Sequence, residues 1–160
     1  MWGYSGLHTL RRLTVHLAET GTLPGSLEEA RMAADDPLLK KAYRGWPGEP
    51  AGPFDHLIRH SDCEGYYVPV DFGQVIVDER LAGGYLGSSV RLLAETRRIA
   101  AALDLPEGLD PDSEEVFGAC DTGTRAAEGW QRYGIESYVC LRLIQAARHS
   151  IATGAVIDFC

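Results

Sequence analysis

The chain has 160 residues, of which 45% are hydrophobic and 24% are charged, a composition typical of a soluble globular protein. This length is enough to bury a core and predicts a single domain over residues 1–160. No apolar run approaches the roughly 20 residues that a membrane-spanning helix requires, and the first residues lack the layout of a secretory signal. We therefore expect a cytoplasmic protein without a membrane partner.

The net charge of −8 is concentrated in one part of the chain. Residues 104–128 contain eight carboxylates and one basic residue, Arg125, and so carry seven of the eight excess negative charges. An acidic chain without a basic stripe argues against a nucleic-acid partner. It favours a basic protein as the partner. The candidate binding residues are Asp110, Asp112, Glu114 and Glu115.

The first half of the chain contains three predicted helices. Leucines at positions 7, 10, 13 and 17 recur at helical spacing and predict a helix over residues 6–20, capped by Ser5 and ended by Gly21. In "PGSLEEA", Ser26 and Glu29 form a capping box for a short helix. In "DDPLLKKAYRG", Asp36 precedes a proline at the first helical position. The segment "GWPGEPAGP" that follows has too much glycine and proline for anything but a loop.

Two longer helices should form the core. The helix over residues 88–103 begins at Ser88 or Ser89 and carries an apolar stripe, with Glu95 among its charged positions. A short helix is expected around residues 113–119. The helix over residues 136–153 is apolar over most of its surface, which is typical of a buried central helix.

A small β element should accompany the helices. The terminal segment "AVIDFC" predicts a strand over Ala155–Phe159. We expect it to pair with Tyr66–Val68, since isolated short strands are only marginally stable. The glycine-rich "LAGGYLGSS" lacks the lysine of a phosphate-binding loop and is interpreted as the entry to the helix at 88–103. The predicted fold class is α+β: mostly α-helical, with a small β element formed by residues 66–70 and the C-terminal strand.

The segment "RHSDCEGYYVPVD" (59–71) is the candidate metal site. With Gly65 at the sixth position of a calcium-binding loop, oxygen ligands fall at alternate positions, and "PVDFGQVIV" would begin the exiting helix. His60 stands where such loops have aspartate, and a histidine suits zinc better. The candidate metal ligands are His60, Asp62, Glu64 and Asp71. Zinc would favour a different subset, His56 and His60 with Asp62 or Cys63.

Two other interpretations of this segment remain open. It is a tight turn if Asp62 and Glu64 accept backbone N–H bonds and Gly65 adopts a positive φ. It is a hydrolase site if Cys63 is activated by a histidine, either His56 or His60. No catalytic signature surrounds this cysteine, so no catalytic residue is assigned. The four cysteines, Cys63, Cys120, Cys140 and Cys160, lack the paired spacing of a zinc site and are expected to be free, mostly buried thiols.

Three segments carry a resemblance to a known family. "HSDCEGYYVPVDF", "LAGGYLGSS" and "AARHSIATGAVIDF" resemble small uncharacterised proteins of actinobacteria and their phages, in which a His-Ser-Asp-Cys-acidic-Gly core also lies mid-chain. The resemblance covers about half of the chain and implies a lineage without an activity.

Three functions follow from these observations. The first is a protein–protein interaction of the immunity, inhibitor or regulatory kind through the acidic segment. The second is metal binding at residues 60–71, and the third is hydrolysis by Cys63 or a bound metal. The acidity and the lack of a catalytic motif favour the first, and a protein that is not an enzyme.

Overall fold

The structure is a computed structural model that describes residues 4–25, 27, 32–44, 52–122 and 128–158. The helices within these residues are α1 (Tyr4–Thr20), α2 (Pro37–Arg44), α3 (Asp55–Ile58), α4 (Ser89–Ala102), α5 (Glu114–Thr122) and α6 (Gly134–Thr153). The strands are β1 (Tyr66–Val68), β2 (Ile76–Val77), β3 (Tyr85–Ser88) and β4 (Ile157–Asp158). Long helices with one small sheet confirm the predicted α+β class.

Helix α6 lies at the centre of the helical layer, as predicted. It packs against α1, α4 and α5, because its apolar residues are spread around the helix instead of along one stripe. Leu10, Leu92, Ile99, Val116 and Cys140 are among the side chains that are completely buried between these helices. The seam between α4 and α6 also contains polar contacts, since the Cys140 thiol donates to the Thr96 carbonyl at 3.3 Å.

The helix ends follow the local signals in most cases. Asp36 caps α2 by accepting the N–H of Leu38 at 2.9 Å, and Ser88 caps α4 by accepting the N–H of Arg91 at 3.2 Å. Ser5 lies inside α1 instead of capping it, because that helix already begins at Tyr4. The predicted capping box of Ser26 and Glu29 lies outside the described residues, as do positions 45–51 of the predicted loop.

The sheet has the strand order β2-β3-β1-β4. The predicted pairing of β1 with the C-terminal strand is confirmed, with Tyr67 opposite Ile157 in an antiparallel ladder. The parallel pairing of β1 with β3 was not predicted, because "LAGGYLGSS" was interpreted only as a helix entry. The Tyr67 ring packs against Gly87 of β3 so closely that a Cβ there would collide with it. A glycine inside a strand marks such a close approach.

The cysteines of the described residues are free thiols. Cys120 and Cys140 are buried and Cys63 is exposed, while Cys160 lies outside the described residues. Burial raises the pKa of Cys120 to about 11 and that of Cys140 to about 12, so both stay protonated at neutral pH. None of the helices in the described part of the chain combines the length and the apolar character that crossing a membrane requires.

Candidate interaction surface

The mid-chain loop, residues 59–71, begins with a tight turn over residues 59–65, which joins α3 to β1. Gly65 has a φ of +89°, which confirms the predicted positive φ. A Cβ on Gly65 would lie 2.5 Å from the Tyr85 carbonyl oxygen of β3, so the sheet also requires glycine here. The backbone N–H groups of Cys63 and Glu64 bond to the Ser61 hydroxyl, at 3.3 and 3.2 Å. Ser61 thus fills the role that the sequence analysis gave to the carboxylates.

Three of the four candidate metal ligands contact other groups of the chain. His60 is buried, stacks on Tyr67 with 4.1 Å between ring centroids, and has its ring nitrogens 3.0 and 3.1 Å from backbone carbonyls. Asp62 pairs with His8 at 3.0 Å, and Asp71 pairs with Arg91. The remaining candidate, Glu64, is exposed.

The metal interpretation therefore lacks a ligand cluster. Among the described residues, no group of three or more His, Cys, Asp and Glu side chains is placed to hold a metal ion. The calcium version also needs a helix beginning in "PVDFGQVIV", and that expectation is wrong, because residues 76–77 form strand β2. The reason is tertiary: Val75 is held by a hydrogen bond from its N–H to the buried Asp55 carboxylate, at 2.9 Å, and the next residues pair with β3.

A buried polar network that the sequence analysis missed lies beneath the loop. Glu95 is only 6% exposed and accepts the N–H groups of His56 and Leu57, at 3.1 and 2.8 Å, at the start of α3. Burial raises the pKa of Glu95 to about 8, although both hydrogen bonds oppose this. The signal was present in the sequence, since Glu95 follows Leu92 by three residues and precedes Ile99 by four, within the apolar stripe.

His56 belongs to the same network. Its Nδ1 accepts the N–H of Ser88 at 3.0 Å, and its Nε2 donates to the Phe72 carbonyl at 3.0 Å, which together define a neutral imidazole. Burial lowers the pKa of His56 and also that of His60. Because both rings bond to the backbone while the Cys63 thiol lies 3.7 Å from the Ser61 hydroxyl, the arrangement lacks the activated cysteine that hydrolysis needs.

The acidic segment has the opposite character, because every one of its carboxylates is exposed. We call these residues the acidic surface: Asp104, Glu107, Asp110, Asp112, Glu114, Glu115, Asp121 and Glu128. The one basic residue of this segment, Arg125, lies outside the described residues. The structure brings the four predicted binding residues together at the start of α5, a helix that the sequence analysis placed around residues 113–119.

Local contacts order this part of the acidic surface. Asp110 accepts the N–H of Asp112 at 2.9 Å, and Asp112 pairs with Arg142 of α6 through contacts of 2.6 and 3.2 Å. Glu114 and Glu115 occupy the first turn of α5, where the helix dipole favours negative charge. Among the described residues, neither of these glutamates forms an ion pair.

Residues 105–111 have two sides, one toward α5 and one toward α4 and α6. Negative charge predominates on the side toward α5. On the other side a groove of about 610 Å³ separates these residues from α4 and α6, and Arg97 and Arg148 line it together with Glu107 and Asp110. Two basic and two acidic side chains line this groove, so their charges largely offset one another.

Comparison with known protein families gives a match over nearly the whole chain. A family described as "Putative DNA-mimic protein" matches residues 1–159 of the chain. No curated protein and no solved structure matches it.

The match corrects one expectation. The expectation of no nucleic-acid partner, inferred above from the acidic charge, is wrong, because the match to a DNA-mimic family implies a DNA-binding protein as the partner. The inference failed because the charge that repels a phosphate backbone is the same charge that can replace it on a basic protein surface. A function by protein–protein interaction and a basic partner agree with the match. Since the match extends over nearly the entire sequence, the chain belongs to this DNA-mimic family.

Proposed function

We propose that the protein binds a DNA-binding protein at the site where that partner holds DNA, and so acts as its inhibitor or regulator. The observation that carries this proposal is the exposure of all eight carboxylates of the acidic surface in a chain of the DNA-mimic family. Since the partner handles DNA, both proteins would act in the cytoplasm.

The charge density around α5 supports the proposal. Glu114 and Asp121 lie two helical turns apart, which corresponds to about 10 Å along the helix axis and places them on the same face. One DNA strand carries a charge about every 3.4 Å along its axis. The separation of Glu114 and Asp121 therefore matches about three phosphates of one strand, and Asp110, Asp112 and Glu115 add further carboxylates at the same end of α5.

Electrostatics gives such a surface two effects. A DNA-binding site concentrates lysine and arginine, so it attracts an acidic surface as it attracts DNA, and long-range attraction accelerates the encounter. The carboxylates then occupy the basic groups that would otherwise contact phosphates. The complex should therefore weaken as salt concentration rises, and DNA should compete for the same partner.

The test begins with capture from an extract of the native host. The immobilised protein is incubated with the extract at low salt, bound proteins are eluted with duplex DNA, and they are identified by mass spectrometry. With the purified partner, fluorescence anisotropy of a labelled duplex then measures displacement. We expect the duplex to be released as the protein is added. A partner that binds the duplex and the protein simultaneously would contradict the proposal.

A matched pair of variants locates the contact. Glu114→Gln with Glu115→Gln removes two charges from the acidic surface, whereas Glu64→Gln with Glu79→Gln removes two exposed charges near the sheet. Both variants have the same net charge. We expect only the first pair to weaken displacement of the duplex. Equal losses for both would show that net charge, and not the acidic surface, attracts the partner.

A further inference from the structure

An exposed phenylalanine lies within the acidic surface. Phe117 of α5 is 43% exposed, whereas Phe54 is buried and Phe72 is half-buried. Glu114 precedes Phe117 by three residues and Asp121 follows it by four, so both carboxylates neighbour its ring on the helix. Beside the ring, a Cβ added to Gly118 would meet no other atom within 4 Å. The ring is thus flanked by negative charge and open to a large group.

The ring is also held in position. Phe117 contacts Tyr138 of α6 with 6.1 Å between ring centroids and 39° between their planes. An aromatic side chain has few rotatable bonds, so it offers a large contact area at a low cost in conformational entropy. Pure charge mimicry does not need an exposed phenylalanine, so this position calls for a second kind of contact.

The protein itself shows which contact fits. Arg142 places its guanidinium 5.4 Å from the centroid of the Tyr138 ring and donates to both carboxylate oxygens of Asp112. An arginine therefore already lies between an aromatic ring and a carboxylate next to Phe117. Phe117 with Glu114 and Asp121 offers a ring and carboxylates toward solvent, without the hydroxyl through which Tyr138 also accepts a hydrogen bond from Arg142 at 3.3 Å.

From this arrangement we propose that Phe117 and its flanking carboxylates bind an arginine side chain of the partner, in preference to a lysine. The proposal rests on the proposed function, since it names the group that the acidic surface recognises. The planar guanidinium stacks on an aromatic ring and donates to carboxylates at the same time, whereas the compact, strongly hydrated ammonium of lysine does not. Arginine is also the residue that most often contacts guanine in DNA-binding sites, so a DNA-binding surface supplies it.

The test uses two short peptides, one of alternating arginine and glycine and one of alternating lysine and glycine. Their affinities for the whole protein are measured by fluorescence anisotropy at the same low salt. We expect the arginine peptide to bind about two- to five-fold more tightly, the range of an exposed cation–π interaction. Phe117→Leu should abolish the preference, and Phe117→Trp should maintain or increase it.

Two controls separate the possible failures. Ile151→Ala removes an exposed apolar side chain of α6 and should leave the preference unchanged. Glu114→Gln with Glu115→Gln should weaken both peptides, and the arginine peptide by at least as much as the lysine peptide, because Glu114 is one of the two carboxylates beside the ring. Equal binding of the two peptides to the parent, or a preference that survives Phe117→Leu, would overturn the arginine proposal alone. Unchanged binding of both peptides to the carboxylate variant would instead contradict the proposed function.

Discussion

The mid-chain loop and the acidic surface contain similar side chains and use them in opposite ways. In the loop, the His60 ring bonds to backbone carbonyls of the loop itself, while Asp62 contacts His8 and Asp71 pairs with Arg91. The buried Glu95 and His56 hold the start of α3 and the neighbouring backbone in place. On the acidic surface, all carboxylates are exposed, and Asp112 pairs with Arg142. Polar side chains that bond to other groups of the same chain stabilise its fold. Charged side chains that remain exposed without such bonds are available to a partner.

From this comparison we expect the largest effect on stability at Glu95. The native pKa of about 8 lies above the unfolded value near 4.5, so the native state binds more protons between these pH values. The contribution of Glu95 to stability should therefore fall as pH rises through this window, on the order of 4 kcal/mol in total. Glu95→Gln cannot titrate. The free energy of unfolding of both proteins is measured in urea at pH 5 and pH 8.5. Relative to the parent, the variant should be more stable at pH 8.5 than at pH 5.

The other titrating groups, among them His56 and His60, are present in both proteins. Their pH dependence therefore cancels when the variant is compared with the parent. Glu95→Gln also replaces one acceptor of a backbone N–H by a donor, which should cost about 1 kcal/mol at either pH. Only the difference between the two pH values isolates the charge of Glu95. Parallel stability curves would show that this carboxylate does not gain a proton on folding.

The next largest effect is expected at the turn of the loop. Gly65→Ala places a side chain at a positive φ and against the Tyr85 carbonyl, so it should destabilise the protein by about 2 kcal/mol or more. Gly73→Ala is the matched control, since its added Cβ meets no atom within 4 Å. Urea denaturation of both variants measures the difference. An equal loss of stability in both would contradict the tight approach of the loop to β3.

A smaller effect on stability is expected on the acidic surface. Changing Glu114 and Glu115 to lysine should alter the free energy of unfolding by at most about 1 kcal/mol, since the two side chains are exposed and only the helix dipole favours their charge. The same change should slow association with a basic partner and flatten its salt dependence. Urea unfolding and stopped-flow association measure the two quantities. Severe destabilisation would show that these glutamates stabilise the fold, as the polar residues of the mid-chain loop do.

The smallest effect is expected from metal ions. Calcium or zinc should leave the Tm of the parent unchanged, because a ligand stabilises a protein only by binding its native state, and His60 and Asp62 already have other partners there. Thermal denaturation with and without each ion is the measurement. If an ion does raise the Tm, the variants His60→Ala and Asp62→Asn identify whether the loop is responsible.

Local signals in the sequence were sufficient for much of the helical structure. The caps at Asp36 and Ser88, the central position of α6 and the positive φ of Gly65 each depend on residues within a few positions of one another. The acidic surface was also predictable, since eight carboxylates within 25 residues exceed what a core can bury without partners. Composition and short-range periodicity therefore determined the fold class and the location of the charge.

Only the tertiary structure decided which polar residues face one another. The hydrogen bonds of Glu95 to α3, the contact of Asp62 with His8 and the parallel pairing of β1 with β3 join positions that are 20 or more residues apart in the sequence. The same holds for Phe117, which acquires its place beside Tyr138 and Arg142 only when α5 packs on α6. Burial and pairing depend on distances through space, and a sequence pattern reports only distances along the chain.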